Sequence, residues 1–216
     1  MRRLVDWSLY LVTDRALSLG RPIEEVVMAA VEGGVSAVQL REKECSTREF
    51  VALARSLKQL LAGRGVPLLI NDRVDVALAA GADGVHIGQS DMTYREARAL
   101  LGTYALIGLS VETPSQAAEA ESYDCDYLGV GPIFPTSTKP DAAPVWGLDR
   151  LKDLRAISRH RLVAIGGIGA SNAALVATAG ADGIAVVSAI CSASDPRAAA
   201  LALREMIKDT HVRNTR

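Results

Sequence analysis

Short apolar runs alternate along this chain with longer stretches whose apolar positions recur every three or four residues. The runs fall at 9–12, 35–40, 66–70, 84–87, 105–109, 127–130, 162–165 and 183–187. They are apolar at successive positions rather than at every second one, which predicts strands buried on both faces. The stretches between them predict helices. Ser46 and Glu49 make a capping box ahead of an apolar face at Phe50, Leu53, Ala54, Leu57 and Leu61. Thr93 with Glu96 repeats the device, and Gly102 stops that helix. Thr113-Pro114-Ser115-Gln116 repeats it again with proline at the first helical position. Val74 and Leu78 share a face ahead of a stop at Gly81, and Asp195-Pro196 opens a last helix running towards Met206.

A strand, a helix and a second strand joined by a crossover of this length lie parallel. One junction recurs: Ala80-Gly81-Ala82-Asp83-Gly84-Val85 returns as Ala179-Gly180-Ala181-Asp182-Gly183-Ile184, and more loosely as Glu32-Gly33-Gly34-Val35-Ser36-Ala37. Each copy stops a helix and starts a strand. Eight such units predict a single-domain (β/α)8 TIM barrel over residues 1–216, with 210–216 expected as a disordered tail. An open doubly wound sheet is the alternative, but Leu11-Val12-Thr13-Asp14 stands where a GxGxxG turn would follow its first strand.

Bulk properties narrow the function. The formal charge is −1 and aromatic residues make up 4%, so neither a field for nucleic acid nor a base-stacking surface is expected. Cys45, Cys125 and Cys191 are far apart and form no metal-ligand spacing, as idle thiols in a reducing compartment would. An acid at position 6 interrupts the N-terminus before any long apolar core, so no signal peptide is expected. Residues 162–181 carry one uncharged span up to Ala181, broken by Gly166-Gly167 and Ser171-Asn172, which reads as strand, turn and helix rather than a membrane crossing. A soluble, cytoplasmic protein is expected. The sequence leaves open whether it forms a homo-oligomer.

In a barrel, chemistry sits where strands end. Asp72 and Asp91 close the third and fourth runs, and neighbouring strands lie ~4.8 Å apart, so the two acids could share one magnesium ion with a substrate phosphate. Ordinary loop polarity or helix capping is the competing reading. Gln39, Arg41 and Lys43 alternate along one face and suit a diphosphate; pairing with Glu42 and Glu44 at a solvated strand end is the alternative. Residues 131–147 form the longest non-periodic connection, with hydroxyls at Thr136, Ser137 and Thr138 and a cation at Lys139, in keeping with a mobile lid or else a surface loop. Gly166-Gly167-Ile168-Gly169 and Val187-Ser188 stand where barrels hold a phosphate, though glycines also make plain turns. His86 lies inside an apolar run and is expected to be packed, while His160 and His211 are expected on the surface. No serine–histidine or cysteine–histidine constellation is apparent.

The segments Tyr10–Asp14, Gln39-Leu40-Arg41-Glu42-Lys43, Ile70-Asn71-Asp72, 81–91, 129–136 with Thr138-Lys139, 163–168 and Val187-Ser188 resemble, in order, the signature stretches of the thiamine-phosphate synthase family. The resemblance covers nearly the whole chain and implies a TIM barrel that joins hydroxymethylpyrimidine diphosphate to a thiazole phosphate and releases pyrophosphate. It implies Gln39, Leu40, Arg41, Glu42, Lys43, Asn71, Ser110 and Lys139 around the pyrimidine diphosphate, with Arg41, Lys43, Ser110 and Lys139 catalytic. Magnesium on Asp72 and Asp91 is implied as well, and Thr136, Ser137, Thr138, Gly167, Val187 and Ser188 around the thiazole phosphate. The family's reaction is dissociative, the pyrimidine C–O bond breaking first. One departure stands out: Glu112 follows Leu109-Ser110-Val111 where a histidine is often found. The related thiazole tautomerase uses a histidine near that point, so Glu112 together with the basic residues of the second run favours the synthase.

Overall fold

A computed structural model describes residues 4–138 and 144–214, with side chains as far as Lys208. Strands β1 (Leu9–Val12), β2 (Ala37–Leu40), β3 (Leu68–Asn71), β4 (Gly84–Ile87), β5 (Leu106–Val111), β6 (Tyr127–Val130), β7 (Leu162–Ile165) and β8 (Gly183–Val186) pair in chain order. All are parallel, and β8 pairs back onto β1 to close the ring. That closure excludes the open sheet. Around it lie α1 (Ile23–Glu32), α2 (Thr47–Leu60), α3 (Val74–Ala80), α4 (Tyr94–Leu101), α5 (Pro114–Ala120), α6 (Gly147–Ile157), α7 (Ala173–Thr178), the one-turn α8 (Ser188–Cys191) and α9 (Pro196–Asn214). Among the described residues no helix is long and apolar enough to cross a membrane.

The two-residue period of each strand sorts its side chains. Leu9, Leu11, Val38, Leu40, Leu68, Ile70, Val85, Ile87, Leu128 and Val130 turn outwards into the layer shared with the helices. Tyr10, Val12, Ala37, Leu69, Leu106, Tyr127, Val163 and Ala185 turn inwards, where with Trp7 they fill the barrel. Three rings form the plug. Trp7 and Tyr127 have centroids 4.4 Å apart, and Tyr10 meets Tyr127 edge-on at 5.6 Å. Inward glycines make room for them: a Cβ on Gly108 would lie 2.0 Å from Tyr127 Cζ.

The repeated Ala-Gly-Ala-Asp-Gly junction has a structural reason. Asp83 Oδ2 accepts from the N–H of Leu68 at 2.9 Å, and Asp182 Oδ2 from that of Leu162 at 2.8 Å. Each aspartate thus caps the start of the preceding strand at the bottom of the barrel. Asp126 does the same for Ile107. The capping boxes at Ser46, Thr93 and Thr113 all form as read from the sequence.

Some expectations need correction. Strands β2 and β3 start two residues into their apolar runs, and β5 reaches Val111, so Ser110 lies within a strand. In α3 the buried residues are Val74, Val76 and Ala77, while Leu78 is half exposed. His160 is not on the surface. It is buried, with Nε2 bonded to the Ala120 carbonyl and Nδ1 3.7 Å from Cys125 Sγ. This Cys–His contact is far from a reactive pair, because burial pushes the Cys125 thiol up to about 12. The side chain of His211 lies outside the described residues.

Candidate active site

At the C-terminal ends of the strands lies a cavity of about 1060 Å³. Its wall over β2 to β4 is charged. Gln39, Arg41 and Lys43 all line it, as their alternation requires. Leu40 and Glu42 do not, because they occupy the opposite phase of the same strand. Leu40 is fully buried in the outer layer, and the Glu42 carboxylate pairs with Arg15 at 3.0 Å. Neither touches the cavity. The basic groups are paired, but not with Glu42 or Glu44: Arg41 Nη1 lies 3.2 Å from Asp14 Oδ2, and Lys43 Nζ 2.6 Å from Asp72 Oδ2.

Asp72 stands one residue beyond β3 in the left-handed region, at φ 61°. Its N–H bonds to the His86 carbonyl of the next strand at 2.8 Å, which turns the carboxylate into the cavity. Asp91 follows β4 and accepts from the Gly88 N–H at 2.7 Å. The two carboxyl groups are hydrogen-bonded to each other. Burial works to raise Asp72, but the bonds from Lys43 and Asp91 and the Lys43 charge outweigh it and hold Asp72 below the usual carboxylate range. Burial, and next the neighbouring Asp72, push Asp91 the other way. Among the described residues no group of three or more such side chains is set to hold an ion. Two carboxylates, with further oxygens supplied from outside the protein, is a donor set that magnesium accepts.

Asn71, the last residue of β3, points inwards and is nearly buried beside the charged wall. Below it the inward residues form a polar floor. Ser110 Oγ lies 2.8 Å from His86 Nε2, and His86 Nδ1 lies 2.7 Å from the Tyr127 hydroxyl. His86 also stacks on the Tyr127 ring at 5.5 Å. The packed role read from the sequence is therefore half of the answer, since His86 lines the cavity as well. Burial lowers its pKa to about 4, so it is neutral at physiological pH. Tyr10, Gln89 and Glu112 also line the cavity, although the sequence assigned none of them a role in binding. His86 stands two residues before Gly88 and Tyr10 two before Val12, so the period of two along β4 and β1 is the signal that could have found them.

Across the cavity the lining is mostly backbone. Gly166 and Gly167 both have positive φ, and a Cβ on Gly167 would lie 2.5 Å from the Pro135 carbonyl oxygen. The Asn172 amide holds this turn, donating to Gly167 O and accepting from Gly169 N–H, both at 2.9 Å. Val187 and Ser188, at the start of α8, complete this side. Thr136, Ser137 and Thr138 close over it from the loop after β6, with the Thr138 N–H bonded to Thr136 Oγ1 at 3.2 Å. Lys139, and with it the middle of the expected lid, lies outside the described residues.

Comparison with known proteins follows this geometry. A family model described as thiamine monophosphate synthase matches residues 9–190. A thiamine-phosphate synthase of Albidiferax ferrireducens is 56% identical over 95% of this chain and 94% of its own length. Another, from Chloroflexus aurantiacus, is 53% identical over 96% of this chain and 95% of its own. The structure of a thiamine phosphate pyrophosphorylase from Pyrococcus furiosus superposes with a TM-score of 0.87 at 40% identity, covering 95% of this chain and 97% of that one. A 3-hexulose-6-phosphate synthase from Salmonella typhimurium, at 20% identity and a TM-score of 0.72 over 94% of this chain and 100% of its own, shares the fold.

Proposed function

The chain belongs to the thiamine monophosphate synthase family, and from that premise we propose that it transfers the hydroxymethylpyrimidine group from its diphosphate to the ring nitrogen of a thiazole phosphate. The products are thiamine monophosphate and pyrophosphate. The observation that carries this reading is the convergence of Gln39, Arg41 and Lys43 with the Asp72–Asp91 pair on one wall of a single cavity. A polyanion and its counterion would meet there, while the glycine-lined wall opposite takes a smaller phosphate.

Asp72 and Asp91 would hold magnesium, which when bound supplies positive charge to the departing diphosphate. Arg41 offers a planar fork and Lys43 a point charge to the same group. Lys43, whose ammonium pairs with Asp72 here, would turn to the oxygens of the leaving diphosphate. Lys139 and Asn71 complete the set that the family resemblance assigns. Thr136, Ser137, Thr138, Gly167, Val187 and Ser188 would hold the thiazole phosphate through hydroxyls and backbone N–H groups. The pyrimidine C–O bond breaks first, and the thiazole nitrogen captures the resulting cation. No protein nucleophile is needed: the cavity's work is to neutralise the leaving group and align the acceptor.

The decisive experiment mixes both substrates and follows pyrophosphate. Release that requires magnesium and both substrates supports the proposal. Turnover of the thiazole phosphate alone, indifferent to magnesium, would instead favour the tautomerase.

A further inference from the structure

Beneath the cavity four hydrogen bonds run in series from β2 to β5. Gln39 Nε2 donates to the Tyr10 hydroxyl at 3.2 Å, and the Tyr10 and Tyr127 hydroxyls are 2.9 Å apart. The Tyr127 hydroxyl then reaches His86 Nδ1 at 2.7 Å, and His86 Nε2 reaches Ser110 Oγ at 2.8 Å. Tyr10 and Tyr127 are fully buried, so no solvent competes for the link between them.

The first link sets the sense of all the others. An amide nitrogen can only donate. The Tyr10 oxygen accepts there, and among the described residues its one other hydrogen-bond partner is the Tyr127 hydroxyl, so its hydrogen goes to Tyr127. The Tyr127 oxygen accepts in turn, and its hydrogen goes to Nδ1. An imidazole that accepts at Nδ1 carries its hydrogen at Nε2. The Ser110 oxygen thus receives a hydrogen bond and has its own hydrogen left to give. Among the described residues no protein acceptor pairs with that hydrogen, and Ser110 opens onto the cavity. The surroundings there differ from the charged wall: Tyr127, Val163, Ile165 and Ala185 make a largely apolar slot.

We propose that Tyr10, Tyr127 and His86 are positioning residues whose hydrogen-bond relay holds Ser110 as a donor, so that the slot reads an acceptor atom on the heteroaromatic ring of the substrate. This rests on the functional reading above for the nature of the ring, but the relay itself is a property of the protein alone. A ring nitrogen satisfies the donor and lies flat in the slot, whereas an amino group presented at that point meets a second hydrogen. The relay so selects ring orientation before the C–O bond breaks.

The test reads the His86 tautomer by nitrogen-15 NMR on labelled, ligand-free protein. The chain has three histidines, and the His86 signals are those lost in His86→Gln. The wild type is expected to show Nδ1 unprotonated and Nε2 protonated. Tyr127→Phe, which keeps the ring and removes the oxygen, is expected to lose that preference. Its kcat should fall about tenfold, the loss of roughly one hydrogen bond, with KM for the thiazole phosphate unchanged. A wild type protonated at Nδ1 overturns the relay even if no variant folds. So does a Tyr127→Phe protein that keeps the wild-type tautomer, whatever its rate. A wild type with the expected tautomer that makes no product fails the functional reading and leaves the relay standing.

Discussion

The Lys43 ammonium lies 2.6 Å from the Asp72 carboxylate, and that carboxylate is in turn hydrogen-bonded to Asp91. One cation of the charged wall is thus joined directly to the candidate metal ligands. The Lys43 side chain is 53% exposed, so the pair contributes about 1 kcal/mol or less to folding. Asp72→Asn keeps the shape and tolerates the same backbone angle. It is expected to leave urea denaturation within about 1 kcal/mol of wild type, while magnesium-dependent pyrophosphate release falls at least about a hundredfold. Retained turnover in a folded variant would count against the shared-ion site.

Arg41→Lys keeps the charge and removes the fork. Since Arg41 reaches both the cavity and Asp14, lysine has to give up one of those roles. A drop of about tenfold or more in kcat/KM for the pyrimidine diphosphate is expected, with KM for the thiazole phosphate unaffected. Steady-state kinetics with each substrate varied in turn would decide.

His86 couples stability to pH. Its pKa falls from 6.5 to about 4 on folding, so between those values the unfolded chain binds the extra proton. The stabilisation is complete above about 6.5 and is lost as pH falls towards 4. One edge of the ring faces the open cavity, so the effect is on the order of 2 kcal/mol rather than the full value of the shift. Urea unfolding at pH 7 and pH 4.5 should show it, and His86→Gln should flatten the dependence across that interval.

Two glycines of the barrel interior should separate fold from chemistry. A methyl at Gly108 meets Tyr127 Cζ at 2.0 Å inside the aromatic plug, and Gly108→Ala is expected to cost about 3 kcal/mol or more. A methyl at Gly129 meets His86 Cε1 at 2.9 Å, where the ring can lean towards the cavity. Gly129→Ala should therefore fold nearly as well as wild type and lose turnover instead. Thermal melts set beside initial rates distinguish the two.

What the sequence disclosed and what it hid divide by range. The capping boxes at Ser46, Thr93 and Thr113 close over three residues, so a linear reading finds them. Asp72 and Asp91 stand out because each follows an apolar run, and the structure places both on the cavity wall. The alternation of Gln39, Arg41 and Lys43 was read correctly, but the family stretch that contains them also swept in Leu40 and Glu42, which the same alternation turns away. Other contacts have no local signature. Tyr10 meets Tyr127 across 117 positions of chain, and His86 meets Ser110 across 24. Only closure of the ring brings them together. His160 was misplaced for a related reason, since its burial depends on α5 and Cys125 rather than on its polar neighbours.

The positive φ of Asp72 limits what this rim can become. Aspartate and asparagine visit that conformation at small cost because their short polar arms bond locally, whereas longer or branched residues resist it. A designer seeking to accommodate a larger ion by lengthening an acid therefore meets a backbone barrier on the β3 side, and the adjustable partner is Asp91.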